Sequence, residues 1–368
     1  MQDKRLRLLW LSPNLNHYKA RFLNHLAKTD DLDLTILSGT GRIGMGDQEI
    51  ENDWCFNLIQ LKIDKKNFGK SKIVRKELQK HFKHYNWILI PAEKKNILLF
   101  LFALKLKRKH PEVKLFSYNH PILKSANGKI TFFDKLITQF YYKKLDRVIF
   151  YTEESCKWAI NEQLIIPKKA FWANNTIDNF EVEKYLKERN TPLNPPSMLL
   201  IGRLLKYRWI DRLFDYYELL LVAIPNLELH IIGDGPELNK IEKAVSNFKN
   251  VFYHGGLIEE KKISKVMSKI DYVFVPGHSG LSINHAFAYE KPYITSKDYN
   301  NHPPEYNYLI NNVNSLLLTG EEESDIEILK FNLTDTESYS KLRKGVKVSK
   351  NNLTIDNWVE QMRHNLII

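Results

Sequence analysis

Predominantly apolar runs alternate along the chain with segments of helical hydrophobic spacing. In the first half, such runs predict buried strands at residues 6–11, 32–37, 87–90, 113–117 and 147–151. Apolar positions three and four residues apart predict helices at residues 21–28, 97–109 and 152–161. Strands that alternate with helices at this spacing indicate βαβ units and a parallel sheet.

The same alternation restarts after residues 190–197, NTPLNPPS, which hold three prolines and no apolar face and therefore predict a linker. Beyond it, strands are predicted at residues 198–201, 227–232, 251–254, 272–275 and 292–295. Helices are predicted at 210–223, 236–247, 259–269 and 281–289. We therefore expect an α/β protein with two Rossmann-like domains, 1–190 and 197–350. We also expect a final helix in 351–368 that packs on the surface of a domain. The N-terminal domain is one candidate for this surface.

The length and composition of the chain fit two globular domains, and its net charge indicates an anionic binding partner. The chain has 368 residues, 43% of them hydrophobic and 27% charged, as in a globular protein with two domains. Two cysteines without metal-like spacing fit a reducing compartment. The charged start and the short apolar run 97–106 favour a cytoplasmic protein. A net charge of +12 requires an anionic partner, which can be nucleic acid, a phosphorylated ligand or a membrane surface.

Glycine and arginine follow the predicted strands of the second half, where parallel sheets bind ligands. In IGRLLKYR, Gly202 allows a close turn, and Arg203 and Arg208 can make charge-assisted bonds to phosphate. The segment is equally compatible with a solvated loop that binds nothing. Two weaker segments are IIGDGPE, with Gly233, and YHGGL, with Gly256 and Leu257. Both are also compatible with plain turns.

The segment VPGHSGLSINHAFAYEKPYIT contains a glycine loop that opens into a helix. Free N–H groups of Ser279, Gly280 and Leu281 at the positive end of that helix predict a diphosphate site, with His278 in the loop. His285, one turn further on, either faces this pocket or is a structural histidine. Glu305 follows the strand 292–295. It either contacts the ligand or is a solvated loop residue.

The order GRLL..R, GDGPE, NVFYHGGL, DYVFVPG..GLS..HA.A...P.IT and PE...I....NSLL resembles the C-terminal domain of the retaining GT-B glycosyltransferases of family four, glycosyl transferases group 1. The resemblance covers residues 198–318, and only NNTID at 174–178 extends it into the first half. It implies two Rossmann-like domains whose parallel sheets face each other across a cleft. The first domain would take the acceptor and the second the nucleotide-sugar donor.

The resemblance also implies roles for individual residues. Arg203 matches the family's diphosphate-binding arginine, Arg208 stands where the family usually has lysine, and the loop 277–281 matches the diphosphate loop. Gly277 and His285 occupy the positions of the two glutamates in the family's Glu-x7-Glu motif, so both carboxylates are missing. A subgroup with this histidine and a downstream Pro-Glu is similar, and Glu305 is expected to replace a lost contact.

Family-four enzymes retain the anomeric configuration, and the resemblance implies the same here. Charge that builds on the leaving diphosphate would be stabilised by the two arginines and the helix N-terminus. The sequence shows no His/carboxylate cluster, so we expect no metal and no cofactor. His120, in SYNHP, matches a family histidine that would face the donor sugar; otherwise it is a loop histidine. The first loop is expected to touch acceptor or donor phosphate through Asn14, Asn16, His17 and Arg21.

The predicted function is therefore transfer of a sugar from a UDP- or GDP-sugar to a glycan or lipid-linked acceptor, in bacterial surface polysaccharide synthesis such as lipopolysaccharide or capsule. The basic stretch 94–114, with Lys105, Lys107, Arg108 and Lys109, can rest on the anionic inner face of the plasma membrane, or is simply solvated. Two alternatives stay open: a nucleotide-sugar epimerase of the same fold, and a basic nucleic-acid-binding protein. The second lacks any recognisable helix-turn-helix, zinc finger or RNA-binding signature, so no nucleic acid partner is expected.

Overall fold

The protein divides into two compact units that differ from the predicted domains at one boundary. The structure is a computed structural model and describes residues 5–41, 53–123, 130–186, 191–298 and 302–367. The first unit comprises Met1–Thr176 together with Ile355–Ile368, and the second comprises Ile177–Thr354. The division falls after Thr176 instead of in the proline-containing segment 190–197. The reason is that a short helix, Asn179–Glu183, packs against helices of the second unit.

The first unit contains a parallel sheet of seven strands. The strands are β1 (Leu6–Ser12), β2 (Leu32–Ser38), β3 (Asn57–Gln60), β4 (Trp87–Leu89), β5 (Lys114–Asn119), β6 (Arg147–Phe150) and β7 (Ala170–Trp172), in the order β3-β2-β1-β4-β5-β6-β7. The helices are α1 (His17–Ala27), α2 (Lys72–His81), α3 (Ile97–Lys109), α4 (Phe132–Lys144) and α5 (Glu153–Asn161). Short 3-10 helices lie at Phe68–Lys70, Phe82–His84, Lys94–Asn96 and Pro167–Lys169.

Burial explains the strands, and capping explains where the helices begin. Leu9, Ile88 and Leu115 of the central strands are fully buried, as expected for a parallel sheet that is covered on both faces. The side chain of Asn16 accepts a hydrogen bond from the backbone N–H of Lys19, at 2.9 Å. Helix α1 therefore begins four residues before the predicted start at residue 21, because the cap satisfies a free N–H group of its first turn.

The second unit repeats the architecture with six parallel strands. These are β8 (Ser197–Ile201), β9 (Glu228–Ile232), β10 (Val251–Tyr253), β11 (Tyr272–Phe274), β12 (Tyr293–Ser296) and β13 (Ser315–Leu318), in the order β10-β9-β8-β11-β12-β13. The helices are α6 (Asn179–Glu183), α7 (Ile210–Ala223), α8 (Leu238–Asn247), α9 (Glu260–Met267), α10 (Leu281–Ala288), α11 (Glu322–Thr334) and α12 (Thr336–Lys350). Among the described residues of this unit, 3-10 helices lie at Lys206–Arg208, Pro304–Tyr308 and Asn351–Leu353. The predicted α/β class with two parallel sheets is confirmed.

Each sheet reverses its strand order beside its first strand. In the second unit β8 lies between β9 and β11, and in the first unit β1 lies between β2 and β4. The connections on the two sides of such a point leave the sheet in opposite directions. A crevice therefore opens at the carboxyl ends of the strands, where α/β proteins bind ligands. In the second unit this crevice lies between the loop after β8 and the loop after β11.

The last helix, α13 (Ile355–Ile367), belongs to the first unit and is anchored by one buried tryptophan. The indole of Trp358 is fully buried, packs 4.6 Å from the ring of Phe22 and donates from Nε1 to the hydroxyl of Tyr118 at 3.0 Å. Arg363 of the same helix forms an ion pair with Asp31. The chain therefore leaves the first unit after Thr176 and re-enters it at Ile355.

Because a buried tryptophan holds α13 in place, Trp358→Ala should lower the free energy of unfolding of the first unit by about 3–5 kcal/mol. Urea titration followed by circular dichroism measures this change. The matched control is Ile73→Ala on α2, whose side chain is 61% exposed and whose loss should change little. Equal stability of the two variants would show that α13 is not held by this contact.

Candidate functional site

Two backbone hydrogen bonds join the loop after β8 to the loop after β11. The N–H of Gly277 donates to the carbonyl of Arg208 at 3.1 Å, and the N–H of His278 donates to the carbonyl of Tyr207 at 2.9 Å. The approach is so close that a Cβ atom on Gly277 would lie 2.3 Å from the Tyr207 carbonyl oxygen. Only glycine fits at this position without moving the backbone. The contact places Arg208 directly beside the glycine loop 277–281.

The guanidinium of Arg208 lies between Gly202 and the first turn of α10. A Cβ atom on Gly202, which has φ +125°, would lie 3.1 Å from Nη2 of Arg208, and Nη1 lies 3.4 Å from the hydroxyl of Ser282. The Nε atom is buried and has no hydrogen-bond acceptor in the described part of the chain. A buried donor without an acceptor is costly unless a ligand or water supplies one.

Arg203 follows Gly202 at once, and its side chain is exposed. Within the described ranges, no carboxylate forms an ion pair with Arg203 or with Arg208. Two guanidinium groups on one loop at the crevice, with no ion pair among the described residues, leave positive charge available for an anion.

The N-terminus of α10 offers fewer free amides than the sequence predicts. The N–H of Ser279 donates to Nδ1 of His302 at 3.2 Å, so the prediction of a free Ser279 amide is wrong. Ser279 is fully buried, and a buried N–H group needs an internal acceptor. The amides of Gly280 and Leu281 have no acceptor among the described residues. They stand at the positive end of the helix and can bind an anion.

His302 is the residue of this site that sequence reasoning missed. Its Nε2 atom lies 3.0 Å from the carbonyl of Ser296, and its ring stacks on Tyr306 with centroids 4.4 Å apart. Nδ1 accepts from Ser279 while Nε2 donates to Ser296, so the neutral tautomer with the proton on Nε2 fits. Burial lowers the pKa of His302 to about 4, which keeps the ring neutral at physiological pH. A lone histidine in a loop carries no sequence signal for this role.

The glycines after β9 and β10 support the loop after β8. Gly233 has φ +157°, and a Cβ atom there would lie 1.9 Å from the carbonyl oxygen of Gly202. Gly233 therefore lets the two strand ends approach each other. Gly256 is exposed, and a Cβ atom on it would lie 3.2 Å from Cβ of Asp234. The amide of Leu257 donates to the carbonyl of Gly255 at 3.2 Å, which uses this amide inside the turn.

Comparison with known proteins assigns the second unit to a family. Residues 181–347 match the family model described as glycosyl transferases group 1. These residues contain a glycosyl transferases group 1 domain. They include both arginines, the glycine loop and His302. No curated protein sequence matches the chain.

Solved structures of similar fold cover nearly the whole chain. HepE from Anabaena in complex with UDP has a TM-score of 0.71 at 14% identity, covering 98% of this chain and 100% of its own, and it was also solved with UDP-glucose. Sucrose-phosphate synthase from Thermosynechococcus elongatus has a TM-score of 0.71 at 15% identity and 98% coverage of both chains. A glycosyltransferase from Rickettsia africae has a TM-score of 0.70 at 12% identity and the same coverage. The fold is therefore GT-B, as the sequence predicts.

His285 and Glu305, which are predicted to contact the donor, are both buried in the structure. Nε2 of His285 lies 2.8 Å from Oε1 of Glu260, and the hydroxyl of Tyr289 donates to the same oxygen at 2.7 Å. Burial and the nearby Glu260 raise the pKa of Tyr289, which therefore stays a hydrogen-bond donor. His285 is thus held by a carboxylate from α9. Glu305 is buried in the 3-10 helix Pro304–Tyr308. Contact of either residue with a donor stays a prediction.

The predicted residues of the first loop follow β1 in the other unit. Asn16 uses its side chain to cap α1, and Asn14 is buried, with its carbonyl accepting from the hydroxyl of Ser12 at 2.8 Å. His17 is the first residue of α1, and its side chain lies outside the described part of the structure. Arg21 is half-buried on the same helix. Binding of acceptor or donor by these four residues stays a prediction.

His120 lies directly after β5, at the same sheet edge as the first loop. Its carbonyl accepts hydrogen bonds from the side-chain amide of Asn119 at 2.6 Å and from the hydroxyl of Tyr142 at 2.9 Å, so its backbone is fixed. Burial raises the pKa of Tyr142, which keeps this hydroxyl protonated. The imidazole is exposed and packs edge-on against Tyr151, 5.0 Å away. An exposed ring on a fixed backbone suits a ligand contact.

The described part of the chain contains no cluster of three or more His, Cys, Asp or Glu side chains placed to hold a metal ion. Cys55 is exposed and Cys156 is buried, and burial raises the pKa of Cys156 to about 11. The Cys156 thiol therefore stays protonated at neutral pH and is a poor metal ligand. Independence of the reaction from metal stays a prediction.

The depressed pKa of His302 predicts how stability depends on pH. Below pH 6.5 the unfolded chain takes up a proton at this imidazole, whereas the folded chain does so only near pH 4. The free energy of unfolding should therefore fall by up to about 3 kcal/mol as the pH falls from 6.5 to 4, and the loss should level off below pH 4.

The measurement is urea unfolding of the native chain and of His302→Asn across this pH range. Asparagine does not titrate, so the variant should lose less stability than the native chain on acidification. Parallel pH curves for the two proteins would contradict the assignment of the effect to His302.

Proposed function

We propose that the protein is a glycosyltransferase that moves a sugar from a UDP- or GDP-sugar to an acceptor hydroxyl. The observation that carries the proposal is a pair of guanidinium groups, Arg203 and Arg208, that have no acidic partner in the described part of the chain and lie at the crevice of a group 1 domain. Arg208 lies beside the first turn of α10, where the amides of Gly280 and Leu281 have no acceptor among the residues that the structure describes. Guanidinium groups and helix N-terminal amides together favour a diphosphate, which carries negative charge on several oxygens.

In the proposed reaction the bond between the anomeric carbon and the diphosphate oxygen breaks, and its electron pair goes to that oxygen. The acceptor oxygen bonds to the anomeric carbon, and its proton passes to the leaving diphosphate. Negative charge grows on the leaving diphosphate, so groups that stabilise this charge lower the barrier. Arg203, Arg208 and the free amides of α10 can do this without a metal ion. Retention of the anomeric configuration is proposed from the family resemblance.

The donor sugar and its surroundings are also part of the proposal. HepE, which shares the fold, was solved with UDP and with UDP-glucose, and this supports a nucleotide-sugar donor. His120 is proposed to contact the donor sugar, and His285 and Glu305 to line the donor site. The acceptor is proposed to be a glycan or a lipid-linked sugar in bacterial surface polysaccharide synthesis, with the enzyme in the cytoplasm at the inner membrane face.

Replacement of the two arginines tests the diphosphate site. Arg203→Ala and Arg208→Ala should each weaken nucleoside diphosphate binding and turnover at least about tenfold, because each removes a charge-assisted bond that strengthens as the leaving group forms. Arg208→Lys should retain most activity, since the family usually carries lysine there. Titration calorimetry with UDP and GDP measures binding, and Lys249→Ala is the control for loss of an exposed cation. Unchanged binding in both folded alanine variants would remove the arginines from the site.

Product analysis with and without an acceptor separates the enzyme classes. A glycosyltransferase should release the nucleoside diphosphate and form a new glycoside whose anomeric configuration, read by nuclear magnetic resonance, matches that of the donor. Activity should persist in EDTA. An epimerase would convert the donor with no acceptor present. Affinity for a long polynucleotide far above that for UDP and GDP would favour the nucleic-acid-binding alternative.

A further inference from the structure

Helix α3 exposes a stripe of side chains that changes from apolar to basic along its length. Leu98 and Leu101 are 49% and 45% exposed, and Lys105 and Arg108 follow them on the exposed side. Residues spaced by three and four lie on the same face of a helix. The remaining apolar residues of α3, such as Leu99 and Ala103, face the core. The exposed leucines are therefore in excess of what packing of this helix requires.

Helix α4 carries a second stripe of the same kind. Phe132 and Phe133 at its start are 70% and 72% exposed, and Leu136 and Phe140 continue the exposed face. Lys143 and Lys144 end it. Contiguous exposed patches of large apolar side chains are uncommon on monomeric proteins and mark interaction sites. The opposite face of α4 is ordinary core, since Thr138, Tyr141 and Tyr142 are buried.

The two stripes belong to one surface because the helices pack side by side. The ring of Phe100 from α3 stacks on Tyr141 from α4 at 4.1 Å and meets the ring of Phe140 edge-on at 6.0 Å. Lys94, just before α3, forms an ion pair with the buried Asp134 of α4. We call the exposed residues of Ile97–Lys109 and Phe132–Lys144 the α3–α4 surface.

The α3–α4 surface carries uncompensated positive charge. Three carboxylates near this surface already form ion pairs with lysines: Asp134 with Lys94, Asp146 with Lys107, and Glu162 with Lys135. Five exposed cations have no ion pair among the described residues: Lys105, Arg108, Lys109, Lys143 and Lys144. The surface is thus apolar at the helix N-termini and basic at the C-termini.

We propose that the α3–α4 surface docks the protein onto an anionic lipid bilayer. Phenyl rings would enter the boundary between headgroups and acyl chains while the cations meet lipid phosphates, the pattern by which interfacial helices bind membranes. A second copy of the chain is a poorer occupant, because it would bring two sets of unpaired cations together. No helix among the described residues is long and apolar enough to cross a membrane. The proposal is independent of the reaction that the second unit performs.

The experiment is flotation of the full chain with vesicles of phosphatidylcholine alone and of phosphatidylcholine mixed with phosphatidylglycerol. The native chain should float with the mixed vesicles, much less with the neutral ones, and less in high salt, which screens the charge. Phe132→Ser with Phe133→Ser should reduce the partition coefficient about tenfold or more, since both rings lose the gain from burial in lipid. The matched control is Phe331→Ser with Val348→Ser, which removes exposed apolar side chains from the second unit.

A second pair of variants tests the charge. Lys143→Gln with Lys144→Gln should reduce partition into mixed vesicles about tenfold or more and leave the weak binding to neutral vesicles unchanged. Lys243→Gln with Lys249→Gln, exposed lysines of the second unit, should have little effect.

Three results would overturn the proposal: no flotation of the native chain with mixed vesicles, equal flotation of the Phe132/Phe133 variant, or self-association through this surface without lipid binding. The Phe132/Phe133 variant should also keep its affinity for UDP and GDP. A failure of membrane binding would therefore be distinguishable from a failure of the proposed transfer reaction.

Discussion

The pair of backbone hydrogen bonds between residues 207–208 and 277–278 is the constraint on which the candidate site depends. It ties the loop after β8 to the loop after β11 at the point where the strand order of the second sheet reverses. Without it, Arg208 and the first turn of α10 would be two unrelated loop features. With it, a guanidinium, free amides and a helix dipole act on the same small volume, which is what binding of a diphosphate requires.

The same close contact gives a physical reason for one departure from the family motif. By the family resemblance, Gly277 stands at the position of the first motif glutamate, and any Cβ atom there would collide with the Tyr207 carbonyl oxygen at 2.3 Å. A glutamate is therefore incompatible with this backbone. By the same resemblance, His285 stands at the position of the second glutamate, and its ring is hydrogen-bonded to Glu260 from α9. A carboxylate is thus present near this position, but it comes from another helix and is shared with the histidine and Tyr289.

Apolar runs predict strands β8 to β12 to within one residue at each end, because a strand buried on both faces is predominantly apolar. The sequence misses α11 and α12, whose apolar residues are diluted by charge. It also misses α4, which is apolar on its buried and its exposed face. Arg203, Arg208 and the glycine loop could be predicted from spacing after strands. His302 could not, because its partner Ser279 lies 23 residues away and only the folded chain brings them together.

Trp209 has a strained backbone conformation at the junction between the loop after β8 and helix α7. It adopts a left-handed backbone conformation, φ 55° and ψ 51°, between the 3-10 helix that carries Arg208 and the start of α7. For a bulky residue this conformation costs roughly 1–2 kcal/mol, and glycine would avoid the cost. The turn nevertheless directs the carbonyls of Tyr207 and Arg208 at the glycine loop, and the indole packs 5.9 Å from the guanidinium of Arg212. The strain lies at the residue that directly follows Arg208. This is where a fold would be expected to tolerate it in exchange for a fixed anion site.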